Sequence, residues 1–153
     1  MSFYSYHIYG IGVNVDELPI DDTLLVGAIK KSRFAKNIAK EVDKICAKGY
    51  NSIEDACDEI CMASSNMAPN GVATVIARLI EERNPGLCLI DCRDYDDTRY
   101  IVYQPDYSWR MNDFDKLLTR EKLCSIFVDF LNTISREEIT NDVVDDREIE
   151  NGG

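Results

Sequence analysis

Histidine is the scarcest reactive residue in this 153-residue chain, which contains only His7. A catalytic serine or cysteine needs a neighbouring base that histidine usually supplies, so one histidine in a strand pattern argues against nucleophilic catalysis. Gly10 and Gly12 lack the third glycine of a dinucleotide-binding fingerprint, and the sequence has no phosphate-binding Gly-Lys-Ser or Gly-Lys-Thr segment. We therefore expect no catalytic residues, no cofactor and no enzymatic activity.

Long apolar runs and a basic leader are also missing. No run approaches the roughly 20 apolar residues that a membrane-spanning helix requires. Residues 1–6 lack the cationic start and apolar stretch of a signal peptide. A composition of 45% hydrophobic and 29% charged residues is typical of a globular domain. These features predict a cytoplasmic protein that does not bind a membrane.

The six cysteines lack the spacing of a metal site. Cys57 and Cys61 lie four apart in a helical pattern, and Cys88 and Cys92 lie four apart in a strand pattern. Zinc knuckles instead place two residues between cysteines and add further ligands. Disulfides are not expected without a secretion signal. We expect reduced, buried thiols and no metal site.

Positive charge is in deficit, because 17 Lys and Arg face 28 Asp and Glu, a net charge of −11. Phosphate backbones and anionic lipids require clustered basic residues, so the expected partner is a protein with a basic surface. Direct contact with nucleic acid is expected only through a lysine stripe in a predicted helix over residues 33–48. Its members follow each other at four-residue steps: Lys36, Lys40, Lys44 and Lys48. A solvated helix face, balanced by nearby acids or by the acidic C-terminal segment, is the alternative interpretation.

Hydrophobic periodicity predicts an α+β domain over residues 1–135. Strands are predicted over residues 3–13, 87–92 and 99–104, with a hairpin loop over 93–98. Apolar residues three and four apart predict helices over 23–31, 33–48 and 72–83, one beginning near 53, and one after Thr119. Asp22 and Thr119 are the predicted N-caps of the first and last helices. The predicted architecture is a small antiparallel sheet of about three strands covered by four to six helices.

An acidic segment follows, over residues 136–153. Its apolar periodicity fails, and seven acids against two bases give a net charge of −5. The acids are Glu137, Glu138, Asp142, Asp145, Asp146, Glu148 and Glu150. This composition predicts a flexible, disordered tail, or a short arm that orders on a partner.

Two sets of carboxylates and one aromatic segment are candidates for partner binding. The hairpin set is Asp94, Asp96 and Asp97, and the tail set is Asp142, Asp145 and Asp146. The hairpin set with Asp91 can also be interpreted as a cation site, but aspartates favour turns and the spacing matches no calcium loop. The connector over 103–111 contains Tyr107 and Trp109, residue types that interface cores favour. The alternative is that this connector is held against its own domain.

Several motifs resemble those of short uncharacterised proteins encoded by phages and prophages of Gram-positive bacteria. They are Tyr9-Gly10-x-Gly12, Gly71 with the helix after it, Tyr103-x-Pro105-x-Tyr107-x-Trp109-x-Met111, and Leu118-Thr119-x-Glu121-x-Leu123. Ser108 departs from the pattern, which has proline there. These motifs are structural, so the resemblance implies a genomic context and transfers no activity.

From this implied genomic context follows the hypothesis of an inhibitor of a host nucleic-acid-binding defence protein, because small acidic phage proteins often block such proteins. A carboxylate-rich surface can occupy a groove built for nucleic acid by mimicking its charge. The most specific version is an anti-CRISPR protein that binds a CRISPR effector nuclease in the infected or lysogenic bacterium. The alternative hypothesis is a regulatory or scaffolding protein that works as a homo-oligomer.

Overall fold

A computed structural model describes residues 5–32, 70–105 and 112–152 of the chain. These residues form four strands and four α-helices. The strands are β1 (Ser5–Asn14), β2 (Ile90–Arg93), β3 (Arg99–Tyr103) and β4 (Val144–Gly152). The helices are α1 (Asp22–Lys31), α2 (Val72–Arg83), α3 (Asp113–Leu117) and α4 (Arg120–Asn132). Short 3-10 turns span Val15–Glu17 and Asn141–Val143. The helices predicted over 33–48 and from residue 53 lie outside the described residues.

The strands form one antiparallel sheet in the order β2-β3-β1-β4. The predicted hairpin is confirmed, since β2 pairs with β3 in a register that places Cys92 opposite Tyr100. β1 pairs with β3 on one side and with β4 on the other. The α+β class is therefore confirmed, and the sheet has one strand more than the three predicted.

Gly10 and Gly12 allow β1 to approach β3 closely. A Cβ atom on Gly12 would lie 2.0 Å from the carbonyl oxygen of Ile101, and one on Gly10 would lie 2.2 Å from that of Tyr103. Both distances are far below van der Waals contact, so no larger residue fits while β3 stays in place. The two glycines are thus required by packing at the β1–β3 seam.

The prediction of a disordered tail is wrong for residues 136–152. β4 pairs with β1 along its whole length, from Ser5 opposite Gly152 to Val13 opposite Val144. Backbone hydrogen bonds form this ladder whatever the side chains are, and Val144 and Ile149 anchor it because they are 6% and 2% exposed. The many acids of the segment occupy exposed positions and conceal its strand pattern.

The sheet buries apolar side chains on both faces. On one face, Val13 and Ile101 belong to the main core with Ile76 of α2 and Phe127 of α4. Adjacent residues of a strand point to opposite faces, so Val102 belongs to a second, smaller cluster. That cluster comprises Ile8, Cys92, Val102 and Ile149, with Tyr100 and Ile90 packed against it. β4 contributes to both clusters and is therefore an integral part of the fold.

Helix boundaries follow local capping chemistry. Thr119 caps α4 as predicted, because its side chain accepts a hydrogen bond from the Lys122 N–H at 3.1 Å. The predicted cap of α1 is wrong by one residue: Asp21 accepts from the Leu24 N–H at 2.9 Å, and Asp22 lies in the first turn. There its negative charge still stabilises the helix N-terminus.

Candidate functional site

Asp94 organises the loop between β2 and β3. Its Oδ1 atom accepts hydrogen bonds from the backbone N–H groups of Asp96 at 2.9 Å and Thr98 at 3.0 Å. Asp97 has a φ of 61°, in the left-handed region that aspartate tolerates better than most residues. This turn structure explains the aspartates locally, as the turn interpretation of the sequence predicts. It also leaves Asp96 and Asp97 exposed.

The hairpin loop and β4 meet at an open depression of about 340 Å³. Of the residues that the structure describes, five line it, and we call them the acidic surface: Asp94, Tyr95, Asp96, Glu148 and Glu150. Four of the five carry carboxylates, and no lysine or arginine is among them. Residues from two distant parts of the sequence thus form one negatively charged concavity.

The structure divides the carboxylates predicted to bind a partner. Asp94 and Asp96 lie in the acidic surface, whereas the tail set of Asp142, Asp145 and Asp146 does not. Asp146 pairs with Arg120 of α4 at 2.6 Å, and Asp145 accepts a hydrogen bond from the Asp146 N–H at 2.8 Å. Asp142 is exposed in the 3-10 turn before β4.

Two glutamates of β4 that were not among the predicted binding residues, Glu148 and Glu150, lie beside the hairpin loop. The sequence does not indicate Glu148 and Glu150 as site residues, because their segment has the composition of a disordered tail. Their spacing was the available signal, since residues two apart in a strand point to the same face. The remaining candidates Lys36, Lys40, Lys44, Tyr107 and Trp109 lie outside the described residues, and their roles stay predictions.

His7 lies between the same two glutamates. It is directly opposite Glu150 in the β1–β4 ladder, and its Nδ1 atom is 3.8 Å from Glu150 Oε1. Its Nε2 atom is 2.7 Å from Glu148 Oε1. All three side chains are more than half exposed. No local sequence signal reveals this group, because 141 residues separate His7 from Glu148.

Asp91 does not share the environment of the hairpin aspartates. Its carboxylate accepts hydrogen bonds from Thr74 and Asn70, and Arg78 donates to it at 2.8 Å. Burial raises the pKa of Asp91, but the hydrogen bonds and the charge of Arg78 outweigh it, so the pKa lies below its usual value. Asp91 is thus a structural carboxylate that joins β2 to α2, and the four aspartates do not form one cation site.

Cys92 is an unreactive thiol. Burial, and to a smaller extent the charges of Asp91 and Asp94, raise its pKa to about 12. A thiolate is required for nucleophilic attack and metal binding, and this environment suppresses it. Cys88, Cys92 and Cys124 are all unbridged, and Cys88 is exposed rather than buried as predicted.

Within the three described ranges, no helix is long and apolar enough to cross a bilayer. No protein-family model, curated protein or solved structure matches the chain. The resemblance to phage proteins stays a prediction. What the molecule does has to be inferred from its own surfaces, of which the acidic surface is the most distinctive.

Proposed function

We propose that this chain is a binding protein whose acidic surface occupies the nucleic-acid-binding surface of a partner protein and thereby inhibits it. The observation that carries this proposal is the convergence of four carboxylates around one open depression, with no lysine or arginine among the described residues that line it. Clustered negative charge attracts a basic groove at long range and competes there with phosphate groups.

The scaffold of the acidic surface favours tight recognition. Glu148 and Glu150 stand on a paired strand, and Asp94 is held by the hydrogen bonds of its turn. A disordered acidic tail would lose conformational entropy on binding, which weakens affinity. Carboxylates on a strand that is already hydrogen-bonded to its neighbour avoid most of this loss of backbone conformational entropy. The ordered β4 therefore supports charge mimicry by a preorganised surface.

The class of partner follows from the sequence resemblance together with this charge. Phages benefit from proteins that block host defence, and nucleic-acid-binding defence proteins present extended basic grooves. A CRISPR effector nuclease is a partner of that chemistry, and the chain would then act as an anti-CRISPR protein in the bacterial cytoplasm.

Assembly into a homo-oligomeric scaffold is less favoured by β4. Among the described strands it lies at an edge of the sheet and has β1 as its only paired neighbour. Two copies that paired through this edge would place Asp145, Glu148 and Glu150 of one copy along an edge that carries the same three carboxylates in the other. Like charges across strands destabilise pairing, and charged edges are a common protection against it.

The proposal is tested with two charge-reversed variants of equal net charge. The test variant carries Asp96→Lys and Glu148→Lys, which lie in the acidic surface. The control variant carries Glu137→Lys and Glu138→Lys, which are exposed but lie outside it. Each variant and the wild type serve as bait in a nuclease-treated lysate of a Gram-positive bacterium. A captured partner is then purified and its binding to duplex DNA is measured.

We expect the wild type and the control variant to capture a nucleic-acid-binding protein and displace DNA from it. The test variant should bind that partner at least about tenfold more weakly, a difference of about 1.4 kcal/mol. Equal binding by both variants would reject the acidic surface as the binding site. Capture of no partner, with a defined oligomer by light scattering, would favour the scaffold instead.

A further inference from the structure

We propose that His7, Glu148 and Glu150 form a binding site for a divalent transition-metal ion, with Zn²⁺ as the preferred ion. One imidazole nitrogen and one carboxylate oxygen from each glutamate all lie within 4.8 Å of one another. The site shares Glu148 and Glu150 with the acidic surface, but ion binding concerns the isolated chain and needs no partner protein.

The sheet register creates this geometry. Glu150 lies directly opposite His7 across the β1–β4 ladder, and Glu148 is two residues along the same strand and so on the same face. Glu148 Oε1 lies 2.7 Å from Nε2 of the imidazole, and Glu150 Oε1 lies 3.8 Å from Nδ1. One ion binds only one of these nitrogens, so one of the two carboxylates has to rotate toward the nitrogen that the other already faces. Metal–ligand distances of roughly 2.0 to 2.2 Å require the ligand atoms to move closer together. All three side chains are more than half exposed, so they have the space to rotate into this arrangement.

The donor set selects the class of ion. Ca²⁺ and Mg²⁺ prefer oxygen ligands alone, whereas an imidazole with two carboxylates suits Zn²⁺ and its neighbours in the first transition row. Three protein ligands leave a coordination position for water. The adjoining depression provides open space for it, and Asp94 and Asp96 add negative charge beside the ion.

A bound ion would join two strands that are remote in sequence. His7 belongs to β1 and both glutamates belong to β4, with 141 residues between His7 and Glu148. An ion that binds the folded chain in preference to the unfolded chain stabilises the fold by mass action. We therefore expect Zn²⁺ to raise the melting temperature of the metal-free chain.

The experiment uses the single histidine as a reporter. Metal-free, reduced protein is titrated with Zn²⁺, and the ring signals of His7 are followed by NMR, where no other histidine contributes. We expect one equivalent of Zn²⁺ to shift these signals. A parallel titration with Co²⁺ shows by its absorption whether sulfur ligates the ion, which separates this site from the six cysteines.

Two matched variants complete the test. Glu150→Gln should lose the shift of the His7 signals and the rise in melting temperature, whereas Glu137→Gln makes the same charge change outside the site and should keep both. Unchanged His7 signals in the wild type would overturn the proposal. So would a shift that Glu150→Gln retains, or Co²⁺ bound only by thiolates. The double variant of the partner test changes the ligand Glu148, so Asp96→Lys is also made alone. This single variant leaves the three ligands intact and should keep the Zn²⁺-induced shift of His7 while it weakens partner binding, so the two proposals fail separately.

Discussion

Asp91 and Glu150 are carboxylates on the two outer strands of the same sheet, yet their surroundings are opposite. Asp91 on β2 is 10% exposed and receives hydrogen bonds from Thr74, Asn70 and Arg78. Glu150 on β4 is 58% exposed, and its Oε1 atom lies 3.8 Å from Nδ1 of His7. A satisfied carboxylate stabilises its own fold, whereas an exposed one remains available for a ligand. Counting acids in a sequence cannot separate these two roles.

The strongest test disrupts the pairing of the two inner strands, β1 and β3, which connect the outer strands. Gly12→Ala should lower the free energy of unfolding by about 3 kcal/mol or more, because its Cβ would collide with the backbone of β3. Gly27→Ala is the matched control, since nothing lies within 4 Å of its Cβ and alanine favours helices by roughly 0.5 to 1 kcal/mol. Urea denaturation measures both. A mild effect of Gly12→Ala would show that β1 and β3 can separate without unfolding.

The next test removes the satisfied carboxylate. Asp91→Ala should lower the free energy of unfolding by about 2 to 3 kcal/mol, because Asn70 and Thr74 lose their acceptor and Arg78 loses one of its two carboxylate partners, retaining Glu81. Glu150→Ala, at the exposed end of the comparison, should change it by no more than about 0.5 kcal/mol in the absence of metal. Urea denaturation in the presence of a chelator compares the two. Similar losses would mean that the two outer strands are held in the same way.

The pH dependence of stability provides a further test of the environment of Asp91. The pKa of folded Asp91 lies below its ordinary value of 3.8, so its contribution is complete above that value and is lost as the pH falls through the folded pKa. The stability difference between the wild type and Asp91→Asn should therefore be constant near neutral pH and shrink below about pH 4. Denaturation curves at pH 3 to 7 measure it. A difference that grows in acid would contradict the lowered pKa.

The smallest expected change in stability is at Asp94, in the loop between β2 and β3 that contributes to the acidic surface. Asp94→Ala should lower the free energy of unfolding by about 1 kcal/mol, because the N–H groups of Asp96 and Thr98 lose their acceptor. Asp94→Asn retains a side-chain oxygen and should lose less than half of that. Thermal denaturation distinguishes the two variants. Equal losses would assign the role of Asp94 to its charge rather than to its hydrogen bonds.

Local patterns in the sequence predict the local parts of this fold. The apolar spacing from Val72 to Ile80 predicts α2, and Thr119 marks the beginning of α4. Both depend on residues within one or two helical turns. The hairpin is predicted for the same reason, since its turn residues lie between its two strands.

The candidate site is not predictable in this way. β4 forms because β1 offers it a backbone partner, and its acids mimic the composition of a disordered segment. Glu148 and Glu150 form a site only together with His7 and the hairpin loop, which are distant from them in sequence. Only the register of the sheet brings these residues together.

The long separation between β1 and β4 also governs how the chain reaches its folded state. Hairpins such as β2–β3 form within microseconds, whereas pairing residues 141 positions apart requires closing a large loop first. Contacts of high sequence separation slow folding by orders of magnitude. The strand that displays Glu148 and Glu150 should consequently be among the last elements to acquire protection from hydrogen exchange during refolding. Recognition by a partner would then be delayed until the sheet is complete.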